Sequence, residues 1–218
     1  MQPSFDTLLF DLDGTLSNPR EGLVKAVLYA VAELGILEHD PATLDSFIGP
    51  PLRESFSKRY GLDAARTEEA LRLYRVYYAD RGLYENEVYP GIPELLTALR
   101  AQGFRLFVAT SKPTVFAEQI LVHFELAEHF EAIVGANLDS TRNEKAEVIA
   151  HVLDTYGVDP ARTRMVGDRL HDIHGARAHG IPTVGVEWGF GGRAELEAHG
   201  AHAIVGDVAE LREVLLGV

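Results

Sequence analysis

From Pro93 onward, short apolar runs alternate with single helical segments, and that alternation restricts the fold more than any other feature of the chain. Helical stretches at 93–102, 114–124, 144–156 and 172–179 lead into strand-like runs at 104–109, 132–134, 163–166 and 182–186. A last strand at 203–205 is followed by a helix at 208–215. The period of the apolar residues separates the two kinds of segment. Strands separated by single helices imply right-handed crossovers and a parallel sheet covered by helices on both faces. Sheets of this kind bind ligands outside the carboxyl ends of their strands.

One more strand precedes the series. The run from Phe5 to Phe10 ends in Asp11, Leu12, Asp13, Gly14 and Thr15. Two carboxylates one residue apart at a strand mouth can divide a reaction between them, one as nucleophile or metal ligand and the other moving protons. Asp-Gly is also an ordinary turn signal, because an Asp side chain bonds to nearby backbone. The other strand ends decide between these readings.

After this pair the pattern turns purely helical. Leu23, Val27, Ala30, Val31 and Leu34 share one face of a helix at 21–34, with Gly35 as a C-cap. Further helices are expected at 41–48, 52–60 and 67–81, and no strand-like run occurs before Pro90-Gly91. The expected architecture is therefore α/β: a Rossmann-like parallel sheet core from residues 1–16 and 88–218, carrying an inserted all-α domain at 17–87.

The carboxyl ends of the strands bring chemistry together. The first supplies Asp11 and Asp13, the 104–109 strand Thr110 and Ser111, and the 163–166 strand Asp168 and, one helical turn later, Asp172; Lys145 opens the helix after the 132–134 strand. These types suit phosphoryl transfer. A carboxylate nucleophile splits hydrolysis into two easier steps. Carboxylate oxygens with waters suit Mg²⁺, which screens an anionic nucleophile from an anionic phosphate. A hydroxyl and a lysine cradle the remaining phosphoryl oxygens.

Each residue also has a plainer reading. Lys145 stands beside Glu144 as an ordinary charge pair would, and Thr110 and Ser111 could cap the following helix. Asp168 and Asp172 are four apart, a pair that a helix N-terminus favours. His171 and His174 flank Asp172, but their spacing matches no helical zinc pair and no third soft ligand is evident. Gly189, Gly191 and Gly192 lack the spacing of a dinucleotide fingerprint and read as a flexible turn.

Composition narrows the partners. Twenty basic and 33 acidic residues give a formal net charge of −13, a poor basis for binding a nucleic-acid polymer, so any phosphate site needs a local metal or a few placed cations. The hydrophobic content is 46%, enough for a sizeable core. No cysteine is present, which excludes disulfides and thiolate metal sites. No run reaches membrane-spanning length and the first residues lack a signal-type stretch, so a cytoplasmic setting without a membrane partner is expected. The oligomeric state is not readable.

DLDGTL at 11–16, Thr110-Ser111, Lys145 and GDRLHD at 167–172 resemble, in order, the four motifs of the haloacid dehalogenase-like hydrolases, and the insert resembles their type I helical cap. IGPPLRESF at 48–56, YPGI at 89–92, TSKP at 110–113 and NLDSTRNEKAEVI at 137–149 are similar to the 5′-nucleotidase-like branch beside the phosphoglycolate phosphatases. The resemblance implies a Mg²⁺-dependent phosphatase acting on a small soluble phosphate ester through an aspartyl-phosphate. It implies Asp11 as nucleophile and metal ligand. Asp13 would be the acid and base, with its carbonyl on the metal. Thr110 and the Ser111 amide would hold the phosphoryl group, Lys145 would neutralise charge, Asp168 would complete the metal site, and Asp172 would be a direct or indirect metal partner. The family's dehalogenases lack the second aspartate, so Asp13 argues for phosphate chemistry. Arg53, in the turn before a cap helix, is a candidate for a substrate anion, against the reading of a surface arginine at a helix start. A phosphosugar mutase would use the same motifs. A phospho-signalling receiver would use similar residues, but without a helical insert.

Overall fold

The computed structural model describes residues 5–48, 50, 52–138 and 141–217. Residues 1–4, Gly49 and Pro51 of the turn before Arg53, and Asp139 and Ser140 of the 137–149 stretch lie outside the described residues. The chain divides into two compact units, Met1–Ser17 with Val88–Val218, and Asn18–Glu87.

The chain enters the first unit through β1 (Thr7–Phe10) and leaves it along β2 (Ser17–Asn18). The second unit holds α1 (Arg20–Glu33), α2 (Pro41–Asp45), α3 (Leu52–Tyr60) and α4 (Ala64–Tyr77), and the chain returns along β3 (Glu87–Val88), which pairs with β2. That two-stranded ribbon was not expected from the sequence, since two-residue strands carry no readable period. Helix α1 ends close to expectation: Gly35 has φ 73° and Ile36 N–H bonds back to the Val31 carbonyl, a left-handed termination. The expected helix at 67–81 starts earlier, where the Asp63 side chain accepts from Arg66 N–H, and finishes in a π turn, Tyr78–Gly82. The core of this unit takes Ala26, Val27, Ala30 and Val31 from α1 and mixes aliphatic with aromatic side chains elsewhere: Leu71 and Leu83 are buried beside Phe47 and Phe56, edge to face at 5.0 Å, and Tyr74 stacked on Tyr78 at 5.3 Å.

The first unit continues through α5 (Ile92–Ala101), β4 (Arg105–Pro113), α6 (Thr114–His123), β5 (Ala132–Ala136), α7 (Lys145–Tyr156), β6 (Thr163–Gly167), α8 (Leu170–Arg177), β7 (Thr183–Val186), α9 (Gly192–His199), β8 (Ala203–Val205) and α10 (Val208–Leu216). The sheet is parallel, in the order β5-β4-β1-β6-β7-β8. Strand β1 lies inside it, between β4 and β6, and all four of its residues are buried. Such a strand reads as a continuous apolar run because helices cover both of its faces. On one face Leu9, Phe107, Ala109 and Met165 pack against Val148, Ile149 and Val152 of α7. On the other, Phe10 meets the edge of Phe130 at 6.3 Å. Full burial of one such side chain stabilises the core by about 1.5–3 kcal/mol.

The structure departs from the sequence reading at two further places. Helix α9, which the sequence reading did not include, follows the bend at 189–191 and takes in only Gly192 of the glycine turn. Strand β4 runs four residues beyond the expected end at Ala109 and is irregular there: Ala109 pairs with Val134, yet Pro113 pairs with Ala136. A bulge of this kind re-aims side chains at a strand end.

Candidate active site

The carboxyl ends of β1, β4 and β6 lie side by side, and the loops that leave them carry the charged residues. Asp11 follows β1 directly and is anchored by its own N–H to the Val166 carbonyl at 2.9 Å. Its Oδ1 lies 2.8 Å from Nζ of Lys145. That ammonium also meets the Ala109 carbonyl at 2.9 Å and Asp172 Oδ1 at 2.8 Å. An ammonium has three hydrogens, and three acceptors surround this one. The plainer reading of Lys145 therefore falls. Glu144 does not hold it; Glu144 caps α7 through a reciprocal box with Glu147. Burial would discharge the lysine, but the Asp11 and Asp172 carboxylates outweigh that and hold its pKa above the ordinary value.

Asp168 and Asp172 converge without sharing a helix. Helix α8 begins only at Leu170, so Asp168 stands before it. The Asp172 side chain turns back to accept from Arg169 N–H at 3.0 Å. The pair is not a bystander of the helix dipole, because Asp172 reaches Lys145 and Asp168 faces the acidic cluster. Asp168 Oδ2 accepts from Phe190 N–H at 2.7 Å. Two glycines make that tight packing possible. A Cβ on Gly14, at φ 86°, or on Gly189 would sit 2.3 Å from Asp168 Oδ2. Gly189, in a bend as the turn reading expects, is also part of the wall around Asp168, and Gly192 opens α9. Glu195 of α9 braces the same loop by accepting from Arg169 Nε and Leu170 N–H, at 2.9 and 2.8 Å.

Thr110 and Ser111 do not cap α6, which starts at Thr114 without a side-chain cap. Thr110 is buried in β4 and its Oγ1 accepts from Lys112 N–H at 3.2 Å, while Ser111 is exposed. Lys112 was not singled out in the sequence. It is buried, and its Nζ lies 2.8 Å from Asp13 Oδ2. Alternation along β4 sets Thr110 and Lys112 on one side of the strand, a signal readable only once the strand is known to extend past Ala109. Arg53 belongs to the helical unit. It is half exposed on α3 and forms an ion pair with Glu68 of α4. His174 meets His199, nitrogen to nitrogen at 3.0 Å. Among the described residues the group able to hold a metal is Asp11, Asp168 and Asp172, with one oxygen from each within 4.8 Å of the others.

A hard divalent cation fits this donor set. Asp168 Oδ1 is buried with no hydrogen-bond partner, a costly state for a carboxylate unless a cation faces it. Asp172 is less suited: its Oδ1 also makes no hydrogen bond but lies 2.8 Å from the Lys145 ammonium, and its Oδ2 accepts from Arg169 N–H, so its charge is already matched. The protonation states agree. Burial, then the Asp172 and Asp11 charges, push Asp168 well above the ordinary carboxylate range. Burial pushes Asp172 up to about 6 against the pull of Lys145. Burial also raises Asp13, with Lys112 opposing it.

These shifts predict a stability effect in metal-free protein. Above about pH 4 an unfolded aspartate gives up its proton, whereas a buried one with a raised pKa keeps it. The folded state then binds more protons, so each such group lowers stability as pH rises through its folded pKa. Asp168→Asn removes one such group while leaving an acceptor for Phe190 N–H. In chelator the variant should melt above the parent by a margin that grows as the pH rises above about 4. Thermal melts at several pH values check this; a margin that shrinks with rising pH would mean that Asp168 is held as a favoured anion.

A family model described as haloacid dehalogenase-like hydrolase matches residues 8–186. A 5′-nucleotidase of Pseudomonas aeruginosa is 50% identical over 97% of this chain and 96% of its own. A Mycobacterium tuberculosis protein named tyrosine-protein kinase PtkA is 43% identical over 95% of this chain and 72% of its own. A crystal structure described as a predicted phosphatase from Clostridium acetobutylicum superimposes with a TM-score of 0.93 at 42% identity, over 98% of this chain and 99% of that one.

Proposed function

The chain belongs to the haloacid dehalogenase-like hydrolases, and from that membership we propose a Mg²⁺-dependent phosphatase of small soluble phosphate monoesters that works through an aspartyl-phosphate on Asp11. The observation that carries this reading is the buried cluster in which Asp11 shares the Lys145 ammonium with Asp172 and stands beside the unpartnered Asp168 oxygen. A nucleoside 5′-phosphate is the favoured substrate, supported by the Pseudomonas relative, with a phosphoglycolate-like metabolite as the other candidate class.

Asp11 and Asp168 would hold the ion, together with the Asp13 carbonyl. Bound there, Mg²⁺ supplies positive charge that lets an anionic ester approach an anionic nucleophile. Asp11 attacks phosphorus with one oxygen, while Lys145 fixes the carboxylate and balances charge gathering on the phosphoryl oxygens. The Thr110 hydroxyl and the Ser111 amide steady the same oxygens. Asp13 protonates the ester oxygen as the P–O bond breaks, then takes a proton from the water that releases Asp11. Asp172 keeps Lys145 aimed. The cytoplasmic setting belongs to the same reading; among the described residues no helix is long and apolar enough to cross a membrane.

The test is a phosphate-release screen over nucleoside monophosphates, sugar phosphates and phosphoglycolate with Mg²⁺, with product identification. Release of free phosphate supports the reading. Isomerised sugar phosphate without release would replace it with a mutase, and a long-lived phosphoprotein with a signalling module.

Selectivity is assigned to the helical unit, because the core residues touch only the phosphoryl group. Arg53→Ala is expected to lower kcat/KM for the preferred substrate roughly ten- to a hundredfold, the value of a lost charge-assisted hydrogen bond of about 1.5–3 kcal/mol. A generic aryl phosphate should lose much less. Steady-state kinetics on both substrates decide it: equal losses would assign Arg53, through its Glu68 pair, to the integrity of the helical unit.

A further inference from the structure

Lys112 is a second buried ammonium in the α/β unit, separate from the Lys145 cluster, and the proposed mechanism gives it no task. Its side chain is 4% exposed, which is costly for a lysine without a matching charge. The match is Asp13, whose Oδ2 lies 2.8 Å away. The other Asp13 oxygen, Oδ1, is buried and has no hydrogen-bond partner. The orientation of the Asp13 carboxyl group therefore rests on Lys112. Three features bring the ammonium there. Strand β4 continues to Pro113, its irregular pairing past Ala109 re-aims the strand end, and the Lys112 N–H is held by Thr110 Oγ1 at 3.2 Å.

We infer that Lys112 is a positioning residue for proton transfer, holding the Asp13 carboxyl group in line with the departing ester oxygen. The inference rests on the phosphatase reading and adds a residue to it. In the first step an Asp11 oxygen–phosphorus bond forms and the phosphorus–ester oxygen bond breaks. The electron pair of the broken bond goes to the ester oxygen, which takes the proton from Asp13. A misplacement of about 1 Å in such a group can cost roughly a hundredfold. The cost depends on the leaving group. An alkoxide departs poorly without a proton, whereas a nitrophenolate departs without one. A lysine that simply bound phosphate would serve both esters equally.

The experiment compares kcat/KM for a nucleoside 5′-monophosphate and for p-nitrophenyl phosphate with Mg²⁺, in the parent and in Lys112→Met. This parameter covers the steps through leaving-group departure, so water attack on the phosphoenzyme does not mask the effect. The loss on the nucleotide should exceed the loss on the nitrophenyl ester by at least about tenfold, and in an Asp13→Asn background Lys112→Met should add less than about threefold, since no proton remains to be placed. Equal losses on the two esters, no loss, or a full further loss in the Asp13→Asn background would overturn the inference. Circular dichroism and melting establish that each variant folds. If Lys112→Met does not, Lys112→Arg keeps the charge while moving its donors, and it must shift the ratio of the two esters in the same direction; an unchanged ratio overturns the inference. A parent protein that releases phosphate from neither ester would overturn the phosphatase reading itself, an outcome distinct from the others.

Discussion

Asp11→Asn is expected to abolish phosphate release, with kcat reduced by at least about 10⁴, because an amide oxygen is a poor nucleophile and a weaker ligand for a hard cation. The variant should still fold. Lys145 retains the Ala109 carbonyl and Asp172, and an asparagine fills the same volume beside β1. Unlike general acid–base help, which contributes about 10²–10⁴, a covalent route has no substitute once its nucleophile is gone. Rapid acid quench of the parent with a labelled substrate should trap phosphate on protein, and the same quench of Asp11→Asn should trap none. Turnover by the variant at the parent's rate would remove the covalent mechanism and leave direct attack by water.

Metal removal should have the next largest effect. With EDTA, activity should fall by at least about a hundredfold and return with Mg²⁺, because the site places three carboxylates where a dianionic ester must arrive. Without a cation the anionic ester meets the Asp11 carboxylate with no free positive charge to screen it, since Lys145 is already committed to Asp11 and Asp172. Ca²⁺ should inhibit: it prefers a larger and looser oxygen shell, which would change how the Asp11 carboxylate meets phosphorus. Activity assays across a metal series, beside binding measured by calorimetry, check both statements. Full activity in a stripped sample would take Asp168 out of its proposed role.

The sheet was legible because its strands are buried on both faces and bounded by single helices. Leu8–Phe10 is apolar throughout for that reason, while the place of β1 between β4 and β6 was set by the tertiary structure. The motif residues were legible because this architecture sends every strand's carboxyl end to one edge, so Asp11, Lys145, Asp168 and Asp172 could be assembled from order alone. Lys145 shows the limit of that reasoning. Beside Glu144 in the sequence it is an ordinary pair; only the packing of α7 against α8 and against β4, which neighbours β1, brings it to Asp172 and Asp11.

The chain itself determined the fold class, the helical insert and the residue types available for phosphoryl chemistry, all of which depend on local period and on spacing between elements. Tertiary structure decided which oxygen faces which cation. Sequence spacing showed Asp168 and Asp172 four residues apart, but they meet because one stands before α8 and the other, in its first turn, folds back to the Arg169 N–H. The glycines at 189–192 carried no usable spacing, yet the Phe190 amide and the bare Cα of Gly189 shape the wall around Asp168. Lys112 lay beyond the expected end of its strand. Its link to Asp13 depends on an irregular pairing with β5, a contact between segments far apart in sequence that no local pattern encodes.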